Sequence, residues 1–201
     1  LVCNVGSNGK FLGVLDLDIG KGKVNGFSYR LLPVFSELLP ADAQMTALIA
    51  AERAPYAGWM DEELAVADEV LYRRGNFNGT FDQVICDALR SHYDAQISLS
   101  PGFRWGTSVL QGQTITMERV LDQTATTYPE TYARDMTGAE IKLILEDVAD
   151  NIFNPEPYLQ SGGDMVRLGG LDYRCDPLAQ MGSRIDEMRL DNGTVIEASK
   201  T

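Results

Sequence analysis

Histidine is almost missing from this chain. Its 201 residues include one, His92, in "RSHYDA" at the polar end of a predicted helix, a place where histidine caps the helix or faces water. A single imidazole leaves no Ser–His–Asp triad, no HExxH helix and no His-rich metal cluster. Aspartates and glutamates can ligate Mg²⁺ or Ca²⁺, but no EF-hand spacing appears. The chain alone therefore offers no complete catalytic apparatus. Cysteine is also scarce. Cys3, Cys86 and Cys175 are odd in number, far apart and form no CxxC pair, which excludes zinc-ribbon and thioredoxin-type readings. At least one thiol is free unless it pairs between chains, and neither redox compartment is excluded. Basic charge is short: 17 Lys and Arg stand against 29 Asp and Glu, a net charge of -12. That argues against a nucleic-acid surface, which needs a basic stripe. No apolar run reaches the length of a membrane span, and no repeat is visible.

What remains is an ordinary globular composition, 44% hydrophobic and 23% charged, enough for one sizeable domain or one domain plus a piece of another. The chain opens on the strand-like "LVCNVGSNGKFLGVLDLDI" and stops at "IEASKT" within another strand-like stretch. The expectation is an internal fragment, so the lack of a targeting segment says nothing about location.

Residues 1–32 read as a β-hairpin. Leu15 to Ile19 alternate apolar and polar, "GKGK" turns, and "VNGFSYRLLPV" supplies the second strand. Residues 33–66 read as a linker region with a helix after Ala41, limited by Pro55. Residues 67–201 read as one α/β unit. In it, Thr80 is placed as an N-cap with Gln83 completing a capping box, before an apolar stripe of Phe81, Val84, Ile85, Ala88 and Leu89. A strand, "AQISLS", presents Ile97 and Leu99. A second helix starts at Thr137 with Glu140 as its capping partner, and buries Ile141, Ile144, Leu145, Val148 and Ile152 before "NPEP" stops it. "LDYRCDP" and "RIDEMRL" read as strands around a turn at Met181-Gly182.

An acidic chain can still hold a small anion where local donors outweigh its overall field. The best candidate is "SPGFRWG", just past the "AQISLS" strand, where ligands tend to bind in α/β sheets. The Arg104 guanidinium presents a planar fork that fits sulfonate, phosphate or carboxylate. Gly102 and Gly106 let backbone N–H groups approach, and Phe103 and Trp105 can wall the site. The same spacing serves equally for an exposed turn in which Arg104 stacks on Trp105. A second candidate is "YRRGNFNGTFDQ", where Arg73 and Arg74 precede Gly75, and Asn76 and Asn78 enter a helix N-terminus with free N–H groups. Its plainer reading is that Asn78 and Thr80 shape a turn and cap the helix. The third is "SGGDMVRLGG", with Asp164 and Arg167 among Gly162, Gly163, Gly169 and Gly170; a hairpin loop explains it almost as well.

Taken together, "GSNGKFLG", "YRRGNFNGTFDQVICDAL", "SPGFRWG", "DQTATTYPET", "MTG", "NIFNPEPY" and "GGDMVRLGG" resemble the SoxB-type thiosulfohydrolases of bacterial sulfur oxidation, a branch of the 5′-nucleotidase-like metallohydrolases. The blocks cover essentially the whole chain. The resemblance implies an α/β (α+β) protein in three parts: closing strands of a metallophosphoesterase-type β-sandwich over 1–32, a linker helix region over 33–66, and a 5′-nucleotidase C-terminal-type substrate domain over 67–201. It implies two manganese ions, held by histidine-bearing motifs upstream of Leu1. It also implies hydrolysis of the terminal sulfonate from a cysteine S-thiosulfonate on the SoxYZ carrier, with release of sulfate in the periplasm. Arg104 matches the arginine with which nucleotidases of the family hold their anionic substrate. Phe103, Trp105, Asn76, Asn78, Tyr128 and Asp164 are the accompanying substrate-pocket candidates. One departure is visible. Nucleotidases carry a Pro-Phe-x-Asn stretch whose Phe sandwiches the base, whereas this chain has Thr124 to Thr127, "TATT", with Ala125 near the Phe position. Without a ring to stack on, a nucleobase loses a main contact. A 5′-nucleotidase-like phosphoesterase and a non-catalytic anion- or protein-binding module are the alternatives.

Overall fold

A computed structural model describes residues 2–6, 9–103, 106–124 and 130–199. The chain divides into two compact units, Leu1–Ala57 and Gly58–Thr201.

The first unit is built on a hairpin. β1 (Phe11–Gly20) pairs antiparallel with β2 (Lys23–Pro33) in the register Phe11↔Pro33 through Leu17↔Phe27, with a bulge after Asp18. The strands form because β-branched, aromatic and leucine side chains recur at period two. The connection at Lys21-Gly22 has both residues at positive φ, +50° and +72°, as a two-residue hairpin turn requires. One face gathers Phe11, Leu15, Leu17, Phe27, Tyr29 and Leu31, all exposed. A helix follows, α1 (Ala43–Arg53), whose N-cap Asp42 accepts from the Met45 N–H at 2.8 Å. α2 (Ala57–Met60), a single turn, begins on the last residue of this unit and lies otherwise in the second. The region read as a linker, 33–66, thus holds α1 and α2, and its last four residues form a strand of the second unit.

That strand, β3 (Glu63–Val66), pairs antiparallel with β5 (Thr114–Thr116). α3 (Thr80–Tyr93) leads into β4 (Ser98–Ser100), which pairs antiparallel with β6 (Arg167–Gly169). α4 (Met117–Thr124) follows β5, and α5 (Gly138–Phe153) lends Ile141, Leu145 and Ala149 to the core. β7 (Leu171–Cys175) and β8 (Ile185–Leu190) pair antiparallel around the Met181-Gly182 turn. The fold is therefore mixed α and β. Every strand pair among the described residues is antiparallel and two-stranded, so the expectation that a ligand sits at the end of "AQISLS" loses its parallel-sheet basis.

Two clusters form the core. Ile141, Leu145 and Ala149 of α5 pack on Met165, Leu168, Leu171, Ile185 and Met188. Ala67, Leu71, Phe81 and Val109 form the other, joined by Ile85 and Ile115. Fully burying a side chain of this size is worth about 1.5–3 kcal/mol, and Leu145 and Ile185 are completely buried. α5 starts as its sequence predicts: the Thr137 side chain accepts from the Glu140 N–H, and Glu140 accepts from the Thr137 N–H at 2.7 Å. α3 differs by one residue. Its N-cap is Gly79, and the Asp82 carboxylate, not Gln83, takes the Gly79 N–H at 2.9 Å. Thr80 cannot cap because its hydroxyl donates to the Val70 carbonyl at 2.6 Å and accepts from the Tyr72 N–H at 3.1 Å. The buried face of α3 is shifted accordingly. It holds Phe81, Asp82 and Cys86, while Val84 and Ala88 are exposed. Among the described residues no helix is long and apolar enough to cross a membrane.

Candidate anion-binding site

Three glycine-bearing loops of the second unit meet around a chain of buried charges. Arg73, only 2% exposed, donates from Nε to the Asp82 carboxylate at 2.7 Å. Its other nitrogens reach two backbone carbonyls, Gln123 at 2.5 Å and Pro101 at 3.1 Å. The second Asp82 oxygen lies 3.2 Å from Arg167 Nε. Arg167, fully buried, donates to Asp164 at 3.1 Å, to the Gly75 carbonyl at 3.0 Å and to the Phe77 carbonyl. Two cations and two carboxylates thus alternate in a dry setting, where an unpaired charge would be prohibitive. The loops they join are 73–79, the turn after β4, and 162–167.

The sequence candidates separate on this frame. Asn78 is exposed, yet its amide donates to the Leu168 carbonyl at 2.7 Å and accepts from the Leu168 N–H at 3.1 Å, pairing with the free edge of β6 as a strand would. Asp164 is buried against Arg167. The Asn76 carbonyl accepts from the Met165 N–H at 2.9 Å. Phe103 is half-buried, and its N–H donates to the Pro101 carbonyl at 3.0 Å. Arg104, Trp105 and Tyr128 lie outside the described residues, as does Ala125. Arg74, unlike Arg73, is exposed. At the α3 N-terminus two N–H groups are taken within the chain: Gly79 by Asp82, Phe81 by the Tyr72 carbonyl. His92 is exposed in the last turn of α3, its ring edge-on to Tyr93 at 4.7 Å.

The turn itself is held at both ends. Beyond Pro101, Gly102 lies so close to the 164–165 loop that a Cβ would stand 2.4 Å from the Met165 carbonyl oxygen. Gly106, at φ +85°, would meet the Gln123 side chain at 2.7 Å. The next residue, Thr107, gives its N–H and hydroxyl to Asp122 at 2.7 and 2.9 Å, and its carbonyl accepts from the Gln123 side chain. Glycine is thus required at 102 by close approach and at 106 also by conformation.

A cleft of about 610 Å³ runs beside β6 and β7, lined by Phe77, Asn78, Gln83, Leu168, Tyr173 and Cys175 among others; of the candidates it takes in Asn78 but neither Gly102 nor Asp164. Burial pushes the Tyr173 hydroxyl up to about 12 and the Cys86 thiol up to about 11; neither is an acid or base at neutral pH. Among the described residues no group of three or more His, Cys, Asp or Glu could hold a metal ion. The buried pairs around Asp82 were missed by the sequence reading. The available signal was Asp82 itself, a carboxylate on the same helix face as Phe81, Ile85 and Cys86, which demands a buried cation.

A domain of this build is a known one. Residues 63–201 match the family model of the 5′-nucleotidase C-terminal domain, and the chain belongs to that family of hydrolases. Within it, the chain is similar to the Thermus thermophilus sulfate thiohydrolase SoxB, solved in complex with glycerol, at 38% identity and a TM-score of 0.88. The match covers 94% of this chain and 35% of that one. It also shares its fold with a 5′-nucleotidase precursor from Thermus thermophilus, at 21% identity and a TM-score of 0.72, over 94% of this chain and 38% of that one. A putative 5′-nucleotidase from Staphylococcus aureus, in complex with alpha-ketoglutarate, matches at 18% and 0.52, over 94% of this chain and 39% of that one. No curated protein matches the chain.

Proposed function

We propose that this chain is the substrate-pocket part of a thiosulfohydrolase that removes the terminal sulfonate from a cysteine S-thiosulfonate on the SoxYZ carrier, releasing sulfate. The observation that carries the reading is the 38% identity to a sulfate thiohydrolase along 94% of the chain. The Pro101–Thr107 turn, held at both ends, supports it. Fixed ends on either side of a guanidinium in the sequence suit a tetrahedral sulfur oxyanion, whose charge would be met with little reorganisation. Arg104 would contact the sulfonate, and Phe103 and Trp105 would limit access of water. Two manganese ions would supply the activated water and polarise the sulfonate oxygens. The described residues do not fit such a centre, so its ligands would belong to residues outside this chain, and the chain alone would be inactive. The exposed apolar face of β1 and β2 would pack in the metal-bearing domain. The location would be periplasmic.

The test uses the full-length protein containing this chain, loaded with Mn²⁺, and follows sulfate from S-thiosulfonated carrier beside phosphate from AMP. The reading expects sulfate release, reduced by Arg104→Ala. Phosphate from AMP without sulfate would replace it with a nucleotidase. Neither product, with anion or carrier binding retained, would leave a binding module.

A further inference from the structure

We propose that Arg73 is the positioning residue of the 101–107 turn, acting through a frame completed by Gln123 and Asp122; the effect on catalysis rests on the sulfonate reading above. At 2% exposure, Arg73 is sealed from solvent and its donors are directed at other parts of the chain. It fixes the first end of the turn, where the Pro101 carbonyl accepts from both its guanidinium and the Phe103 N–H. The far end is fixed by α4, through Asp122 and Gln123 on Thr107. A cross-tie joins the two ends, because the Gln123 carbonyl accepts from Arg73 at 2.5 Å. Both ends are fixed and both glycines pack against the frame, so the frame sets where the turn begins and where it ends.

The chemistry requires arginine. One planar fork reaches a carboxylate and two carbonyls in three directions, whereas a lysine ammonium is a point charge on a flexible stem. Lysine would keep the Asp82 pair and lose the reach to Pro101 and Gln123 together. The turn would then hold its anion in a broader set of geometries, an error felt in the transition state more than in ground-state binding.

The experiment compares Arg73→Lys and Asp122→Ala in the full-length protein, reading hydrogen exchange by residue and turnover of S-thiosulfonated carrier. Exchange at Gly102, Phe103, Gly106 and Thr107 is expected to accelerate by about tenfold or more in Arg73→Lys, with Leu145 and Ala149 of α5 unchanged. kcat should fall at least about tenfold with KM little moved. Asp122 is exposed, so Asp122→Ala keeps the fold, and selective acceleration at Thr107 and Gly106 is expected there. Should Arg73→Lys not fold, Asp122→Ala decides alone. Selective acceleration in a protein that never turns over carrier would sink the sulfonate reading and uphold the positioning. Turn exchange equal to the parent, or acceleration spread evenly over α5, overturns the proposal.

Discussion

Replacing Asp82 by alanine would leave two guanidiniums facing each other in the interior. Arg73 and Arg167 share this one carboxylate at 2.7 and 3.2 Å, with all three side chains at most 1% exposed. Removing one partner from a buried pair costs about 3–5 kcal/mol. Here two cations lose a counter-charge and the Gly79 N–H loses its acceptor, so the upper part of that range applies. At about 2–4 °C per kcal/mol for a chain of this size, the melting midpoint should fall by about 10–20 °C. Asp82→Asn keeps the shape and one acceptor but not the charge, and should fall between. A control lies on the surface. Arg174 and Asp186 approach to 2.5 Å but are 62% and 45% exposed, where water and salt screen the pair; Asp186→Asn should leave the midpoint where it was. Thermal melts followed by circular dichroism decide it. If Asp82→Ala melts within the scatter of Asp186→Asn, the argument that burial makes this charge chain decisive is wrong.

Two further outcomes follow from titratable groups. Hydrogen bonds from Arg184 and Asn154 hold the Asp150 carboxyl below the usual carboxylate range, and the Thr137 N–H does the same for Glu140. Folded values below unfolded ones mean that this stability is complete above about pH 5 and is lost as pH falls through the folded values; urea midpoints should drop on that acid limb, less steeply in Asp150→Asn. The Cys86 thiol, pushed up to about 11 by burial, has about 0.1% thiolate at pH 8. Iodoacetamide should label exposed Cys3 and spare Cys86 until the protein unfolds, as peptide mass spectrometry would show; equal labelling rates would contradict that burial.

Local signals carried a long way. The Thr137–Glu140 capping box and the 3.6-residue apolar period of α5 place that helix correctly, and period-two alternation places β1 and β2. Such rules act within a few residues, where the sequence itself holds both partners. α3 went astray by one residue because Thr80 is a good cap in isolation, and only the fold brings the Val70 carbonyl and the Tyr72 N–H to its hydroxyl. Asn78 shows the same limit. In the sequence it is a loop asparagine before a helix; in the fold its amide meets β6, 90 residues further on. Arg73, Asp82 and Arg167 are separated by 9 and 85 residues along the chain, and no spacing rule joins groups that far apart. The glycines were the better guide. Gly102 and Gly106 marked a turn with close neighbours, though not which neighbours.

The buried charge chain has an evolutionary consequence. Arg73 and Arg167 have their binding groups committed to internal carbonyls and carboxylates, so with the anion held at the 101–107 turn, scaffolding and ligand recognition would draw on different residues. On the sulfonate reading, substitutions between Phe103 and Gly106 would retune affinity for one tetrahedral oxyanion over another while the supporting lattice stays intact. A lineage with this arrangement would then change its substrate by altering a few positions, without first passing through an unstable ancestor.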